Sequence, residues 1–170
     1  MHASWISLMP LPFWVGVAAA VGLALGSFAG LVVYRLPRMM MGHADFNLIH
    51  PASHCGMCGQ TLRWWQNLPV LSYFALRGRC GFCGAPIGRL DLLIELAFGA
   101  LWAGMVMFKG PTPGALAWAG FFSVLLVLFV MDWQTLLLPD VLTLPLIVTG
   151  VACAYTVSYT HLTLPTILLV

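Results

Sequence analysis

The sequence predicts an all-α polytopic membrane protein with about four transmembrane helices and a cytoplasmic four-cysteine zinc-knuckle loop between the first and second. Hydrophobic residues make up 61% of the 170 and charged residues only 7%, whereas about a quarter of an ordinary soluble domain is charged. Uncharged apolar stretches recur at close to the roughly 20 residues needed to cross a bilayer. The hydrophilic residues gather in one segment, which holds four of the five cysteines. The same composition excludes a disordered chain, a coiled coil and a nucleic-acid-binding protein. Four spans consume about 80 residues, which leaves too little chain for a second large soluble domain.

Residues 1–12 form an outer N-terminal segment with no Lys or Arg, unlike the basic start of a secretory signal peptide. The first transmembrane helix is expected over 13–33, ending at Tyr34-Arg35-Leu36-Pro37-Arg38. Gly22, Gly26 and Gly30 lie four apart on one stripe of it, a pattern that lets a second helix approach closely. Residues 34–91 form the loop, and 92–156 hold three further spans, starting near Leu92, Ala115 and Val141. Lys109-Gly110-Pro111-Thr112-Pro113-Gly114 turns the chain between the first two of these. Six of the seven basic residues, Arg35, Arg38, Arg63, Arg77, Arg79 and Arg89, fall in 34–91. The positive-inside rule therefore makes the loop cytoplasmic and the N-terminus external, with Lys109 outside and Asp132 back at the cytoplasmic boundary.

The loop carries Cys55-Gly-Met-Cys58 and Cys80-Gly-Phe-Cys83, two C-x2-C pairs separated by 21 residues. Each pair makes a tight knuckle, and the spacing lets both reach one tetrahedral ion with Zn–S of about 2.3 Å. Gly56, Gly59, Gly81 and Gly84 follow the cysteines and free the backbone for such turns. Disulfides conflict with a cytoplasmic location, and a redox C-x-x-C is normally a single pair on a βαβ unit. Cys55, Cys58, Cys80 and Cys83 are thus expected to hold a structural zinc with no open position for catalysis. His50 and His54 are left as surface residues and Cys153 as a small core residue.

Ionisable groups in or beside spans are functional candidates by default. Glu95, Asp132 and Asp140 qualify. In a continuous helix the two aspartates would stand about 12 Å apart along the axis, too far to share a proton as an aspartic-protease dyad does. Pro139-Asp140 reads as a turn and the N-cap of the fourth span, Asp132 as either an interfacial anchor or a reacting group, and Glu95 as either a reacting group or a partner for Arg89 or Arg79.

Several segments together resemble the type IV prepilin peptidase family. These are Gly26-Ser27-Phe28 with Tyr34-Arg35-Leu36-Pro37, Pro51-Ala52-Ser53-His54-Cys55, Asn67-Leu68-Pro69-Val70-Leu71-Ser72-Tyr73, Leu76-Arg77-Gly78-Arg79-Cys80, and Asp132 through Pro145. The resemblance implies a bacterial inner-membrane aspartic endopeptidase. Such an enzyme cleaves the leaders of prepilins and pseudopilins at the cytoplasmic face and N-methylates the new terminus with S-adenosylmethionine. It implies that Asp132 is catalytic and that Asp140 supports it. It also implies a second catalytic aspartate in a G-x-G-D motif, and none of the five acids, Asp45, Asp91, Glu95, Asp132 and Asp140, follows a glycine. The chain is therefore expected to be the N-terminal half of such an enzyme, inactive alone. Residues 157–170 resemble an adapter-derived, non-native tail. Two other classes fit the residues without the resemblance: a non-enzymatic zinc-knuckle membrane scaffold and a membrane dithiol oxidoreductase.

Overall fold

The computed structural model describes residues 9–42, 47–48 and 53–162, including the side chains of all of these but Trp64 and residues 153–162. Asp45, His50, the Cys153 side chain and residues 163–170 of the expected tail lie outside that description. The helices are α1 (Leu11–Met40), α2 (Leu71–Ala75), α3 (Arg89–Lys109), α4 (Pro113–Thr135) and α5 (Asp140–Leu162), with a 3-10 turn over Trp64–Asn67. Among the described residues no strand forms, only isolated bridges at His54–Thr61 and Arg79–Pro86.

Among the described residues three helices, α1, α3 and α4, are long and apolar enough to cross a membrane, with mean hydropathies of 2.1, 1.7 and 2.3. The expected fourth span coincides with α5, which is apolar over Asp140–Ala152. Phe28, Leu93 and Phe129 point outward, the arrangement of helices solvated by lipid.

The apolar stretch of α1 ends at Val33, but the helix does not. Its 30 residues extend about 45 Å, against about 30 Å of hydrocarbon. Helical hydrogen bonds are internal and survive the change of solvent, and Pro37 removes only one donor from the ladder. The extension is covered rather than solvated: Val33, Arg35 and Pro37 are all buried. Arg35 donates from Nη1 to the Asn47 carbonyl at 2.9 Å, so its charge ties the loop to the helix.

α1 and α3 run antiparallel at very close range. A Cβ on Gly22 would sit 2.6 Å from the Phe98 carbonyl oxygen, and one on Gly26 would sit 2.7 Å from the Glu95 Cα. Gly99 reciprocates from α3, where a Cβ would lie 2.9 Å from Leu23 Cδ2. The glycine stripe read from the sequence is thus the α1–α3 seam.

The turn after α3 is made at Gly110, whose φ of +70° is the left-handed region that glycine enters without penalty. Thr112 then caps α4, its Oγ1 accepting from the Ala115 amide at 3.2 Å. Within the hairpin, Trp102 Nε1 donates to Ser123 Oγ at 3.0 Å, and Ser123 Oγ donates to the Ala119 carbonyl at 2.7 Å. Ala29, Ile94 and Phe98 form the buried centre, packed by Leu126, Val127 and Val130 of α4. The end of α1, the start of α3 and the end of α4 consequently share one end of the bundle. Lys109, stacked 5.6 Å over Trp118, marks the other.

Gly26→Val should destabilise the bundle by about 1–3 kcal/mol, the range for overpacking. Gly16→Ala, where nothing lies within 4 Å, should be close to neutral. Thermal unfolding in detergent distinguishes the two, and equal stability of both variants would contradict the seam.

Candidate functional site

The two cysteine knuckles are copies of one another, displaced by 25 residues. The Cys55 amide donates to the Gln60 carbonyl at 3.0 Å and the Cys80 amide to Ala85 at 2.7 Å. Gly59 donates to the Cys55 carbonyl at 2.8 Å and Gly84 to Cys80 at 2.9 Å. Leu62 closes on Ser53 at 2.7 Å as Ile87 closes on Gly78 at 2.8 Å. Only the second glycine of each knuckle needs its freedom: Gly59 and Gly84 have φ of +70° and +73°. Gln66, buried between the knuckles, accepts from the Arg63 amide at 2.8 Å through Oε1 and faces Gly81 through Nε2.

The folding of both knuckles brings four sulfurs together. Cys55, Cys58, Cys80 and Cys83 place their Sγ atoms within 4.8 Å of one another, and Cys55 and Cys83 are 3.8 Å apart. Tetrahedral Zn–S bonds of about 2.3 Å would separate sulfurs by about 3.8 Å. The cluster is therefore positioned to hold a metal ion with four protein ligands. The Cys58 and Met57 amides donate toward Cys55 and lower its pKa to about 6. At Cys83 the Ala85 amide acts downward, but burial and the three crowded sulfurs outweigh it and raise the thiol to about 11. His54, half-buried, is outside the four-ligand cluster.

Below the knuckles a cavity of about 810 Å³ opens between α1, α3 and the loop. Glu95 reaches its wall. Its Oε2 accepts the Val70 amide at 2.7 Å, and the Ser27 hydroxyl lies beside the same carboxylate. Among the described residues this replaces the expected pairing with Arg89 or Arg79. The reason is geometric: Val70 is the centre of a tight turn in which the Leu71 amide donates to the Pro69 carbonyl. Its φ of 60° and ψ of −47° give the strained hand of the γ-turn, and the amide turned out by that strain meets Glu95.

Asp132 lies exposed in the last turn of α4. Its carbonyl accepts the Leu136 amide at 2.9 Å, and Leu136, with φ of 52°, ends the helix. Pro139 is fully buried, and α5 begins at Asp140, where a carboxylate is favoured by the helix dipole. The chain thus breaks between the two aspartates instead of continuing as one helix. Beside the end of α4, a cavity of about 480 Å³ is lined by Tyr34, Arg38, Gln134 and Thr135 among others, with no carboxylate. Arg38 packs 3.5 Å over the Tyr34 ring.

Sequence comparison gives this arrangement relatives. The family described as Bacterial Peptidase A24 N-terminal domain matches residues 20–108, which run from α1 through the cysteine loop to the end of α3. This chain belongs to the type IV prepilin peptidase family. A prepilin leader peptidase/N-methyltransferase of Burkholderia pseudomallei is 44% identical over 161 residues, covering 84% of this chain and 52% of the relative. The protein of the same name from Klebsiella pneumoniae is 42% identical over 166 residues, covering 92% of this chain and 72% of the relative. That from Pseudomonas aeruginosa is 37% identical over 163 residues, covering 86% and 56%. The chain spans about half the length of most of these curated relatives. No solved structure matches it.

As a multi-pass member of this family, the chain presents three groups at one end of its bundle: the cysteine cluster, the Glu95 cavity and Asp132. All three contain residues that the sequence singles out. The sequence reading passed over the 25-residue repeat, visible as Ser53–Leu62 against Gly78–Ile87, and the role of Ser27 and Val70 around Glu95.

Metal occupancy should depend on pH with a definite sign. Near neutrality Cys55, at about 6, is mostly thiolate while Cys83, at about 11, keeps its proton, which an incoming ion must displace. Apparent zinc affinity should therefore fall by at least about tenfold per unit as pH drops from 8 to 7, and more steeply once Cys55 protonates. Competition with a chromophoric chelator measures this; a flat profile would exclude thiolate ligation. Cys58→Ser should leave the helices in place and expose the loop to protease.

Proposed function

We propose that this chain carries the leader-binding and first catalytic part of a membrane aspartic endopeptidase. The enzyme would cleave prepilin and pseudopilin leaders at the cytoplasmic face of the inner membrane and N-methylate the new terminus. The observation that carries the reading is family membership over α1, the loop and α3, together with Asp132 at the same end of the bundle. Asp132 is the catalytic carboxylate and Asp140, across the α4–α5 break, supports its segment. One carboxylate of such a pair activates water while its protonated partner polarises the scissile carbonyl. The partner is not among the five acids of this chain, so these 170 residues alone are inactive.

In this reading the N-terminus lies outside and the cysteine end faces the cytoplasm, since six of seven basic residues gather there. A leader peptide, with a basic segment followed by an apolar helix, then meets Asp132 at the boundary where its own polarity changes. The ion held by Cys55, Cys58, Cys80 and Cys83 is zinc and is structural, because four thiolates fill its coordination. Convergence of all four sulfurs on one point supports a metal over two separate dithiol pairs. S-adenosylmethionine supplies the methyl group.

The test is a chimera in which residues 1–156 replace the matching part of the Burkholderia pseudomallei relative, expressed in a strain lacking its own peptidase. Processing of a reporter prepilin should be restored by the chimera, absent with the 170-residue chain alone, and lost by at least about 10³-fold with Asp132→Asn, as for other paired catalytic groups. Undiminished processing by the Asp132→Asn chimera would remove Asp132 from the role.

A further inference from the structure

We propose that the smaller cavity, between the end of α1 and the end of α4, holds the phosphate headgroup of an anionic membrane phospholipid, with Arg38 and Gln134 as its donors. This rests on the chain being a membrane protein, and neither on the cleavage reading nor on which end of the bundle faces the cytoplasm.

Two helices leave the apolar layer at the same place. The uncharged stretch of α1 gives way at Tyr34-Arg35 and that of α4 at Asp132, and the cavity of about 480 Å³ lies between their ends, within the range of small-molecule sites. Its wall combines apolar Val33 and Met41 with polar Arg38, Gln134 and Thr135, a mixture that suits an amphiphile. Tyr34 in that wall and Trp133 next to Gln134 are exposed, by 48% and 80%, and both are residue types that settle at the headgroup level of a bilayer.

Arg38 is the only ionised side chain lining the cavity among the described residues. It is half-buried and held in place, because its Nη1 donates to the Tyr34 carbonyl and its guanidinium stacks 3.5 Å over the Tyr34 ring. A guanidinium fixed in this way presents a planar fork of N–H groups, which phosphate oxygens match. Gln134, exposed at the end of α4, adds a neutral amide donor.

A cation is the competing occupant, since two helix C-termini meet here and their dipoles favour positive charge. The carbonyls that would bind it are already engaged. Pro37 accepts from the Met41 amide at 3.0 Å, Met39 from Gly42 at 3.1 Å and Asp132 from Leu136 at 2.9 Å, while Met131 accepts from the Thr135 hydroxyl at 2.9 Å. Arg38, in the last turn of α1, itself offsets the dipole of that helix. With no carboxylate in the wall, the charge left to match is positive, and basic pockets between membrane helices take anionic headgroups. A free phosphate ester would use the same donors. The apolar part of the wall selects the lipid, whose chains have the outward-facing surface of α4, Phe129 included, to lie against.

The test is native mass spectrometry of the 170-residue chain in neutral detergent, titrated with phosphatidylglycerol or phosphatidylcholine. One phosphatidylglycerol should be retained per chain, at least about tenfold more tightly than phosphatidylcholine. Arg38→Gln should weaken retention at least about tenfold, the loss expected for a charge-assisted contact. Gln134→Glu, at an exposed position that leaves the fold intact, should do the same by setting a carboxylate against the phosphate. Arg79→Gln, exposed on the loop and outside the cavity, should change nothing. Equal retention of the two lipids, unaltered retention in both cavity variants, or an equal loss with Arg79→Gln would overturn the site. Displacement by soluble glycerol 3-phosphate at the same concentrations would assign the donors to a free phosphate ester and overturn the lipid. A chimera that keeps no phosphatidylglycerol would show the cavity filled by the rest of the enzyme, and would overturn it as well.

Discussion

The contact on which the other features depend is the one between the backbones of α1 and α3. In a bilayer the lipid tails are as apolar as leucine, so helices gain nothing from hiding apolar side chains from their surroundings. Close approach, with its dense dispersion contacts, has to supply the attraction. Gly22 and Gly26 permit it on α1 and Gly99 on α3, and because each glycine faces a particular neighbour, the contact fixes register as well as distance. Slipping α3 by one turn, about 5.4 Å, would carry Glu95 away from Gly26 and Ser27 and away from the Val70 amide. The seam therefore locates the loop, although it lies inside the membrane and the loop outside.

The loop has few other means of support. Among its described residues, regular structure amounts to one 3-10 turn and the short α2, and Cys80 is its only buried hydrophobic residue. Val70 and Arg77 both carry positive φ, conformations that cost about 1–3 kcal/mol each unless their surroundings impose them. At Val70 the surroundings are specific, since Glu95 holds its amide at 2.7 Å; separately, Arg35 ties Asn47 to α1 at 2.9 Å. The cysteine cluster gathers the two knuckles into one body. A bound ion would contribute its binding free energy directly to that fold.

What could be read from the sequence divides along physical lines. The spans, the glycine stripe and the cysteine cluster were legible because each depends on local spacing: hydropathy over about 20 residues, glycine every fourth residue, cysteine every third. The continuation of α1 past Val33 was not, since the hydropathy that marks a membrane boundary carries no information about where helical hydrogen bonding stops. Glu95 stands out in the sequence as costly, but its partner does not, because the Val70 amide becomes available only through a turn of unusual hand. The break at Leu136 was half legible: Pro139 announced it, but a leucine at φ of 52° has no sequence signature. Within the loop, the repeat was present in the letters and hidden by the different residues between the shared Cys and Gly positions.

The groups at this end of the bundle, where α1, α3 and α4 all terminate or begin, are divided by the end of α1. The α1 extension from Tyr34 to Met40 stands between the two cavities: Tyr34 lines both, Arg35 faces the larger one, and Arg38 faces the one beside the end of α4. The α1 extension that ties the loop down through Arg35 therefore also separates the Glu95 cavity from the cavity beside the end of α4.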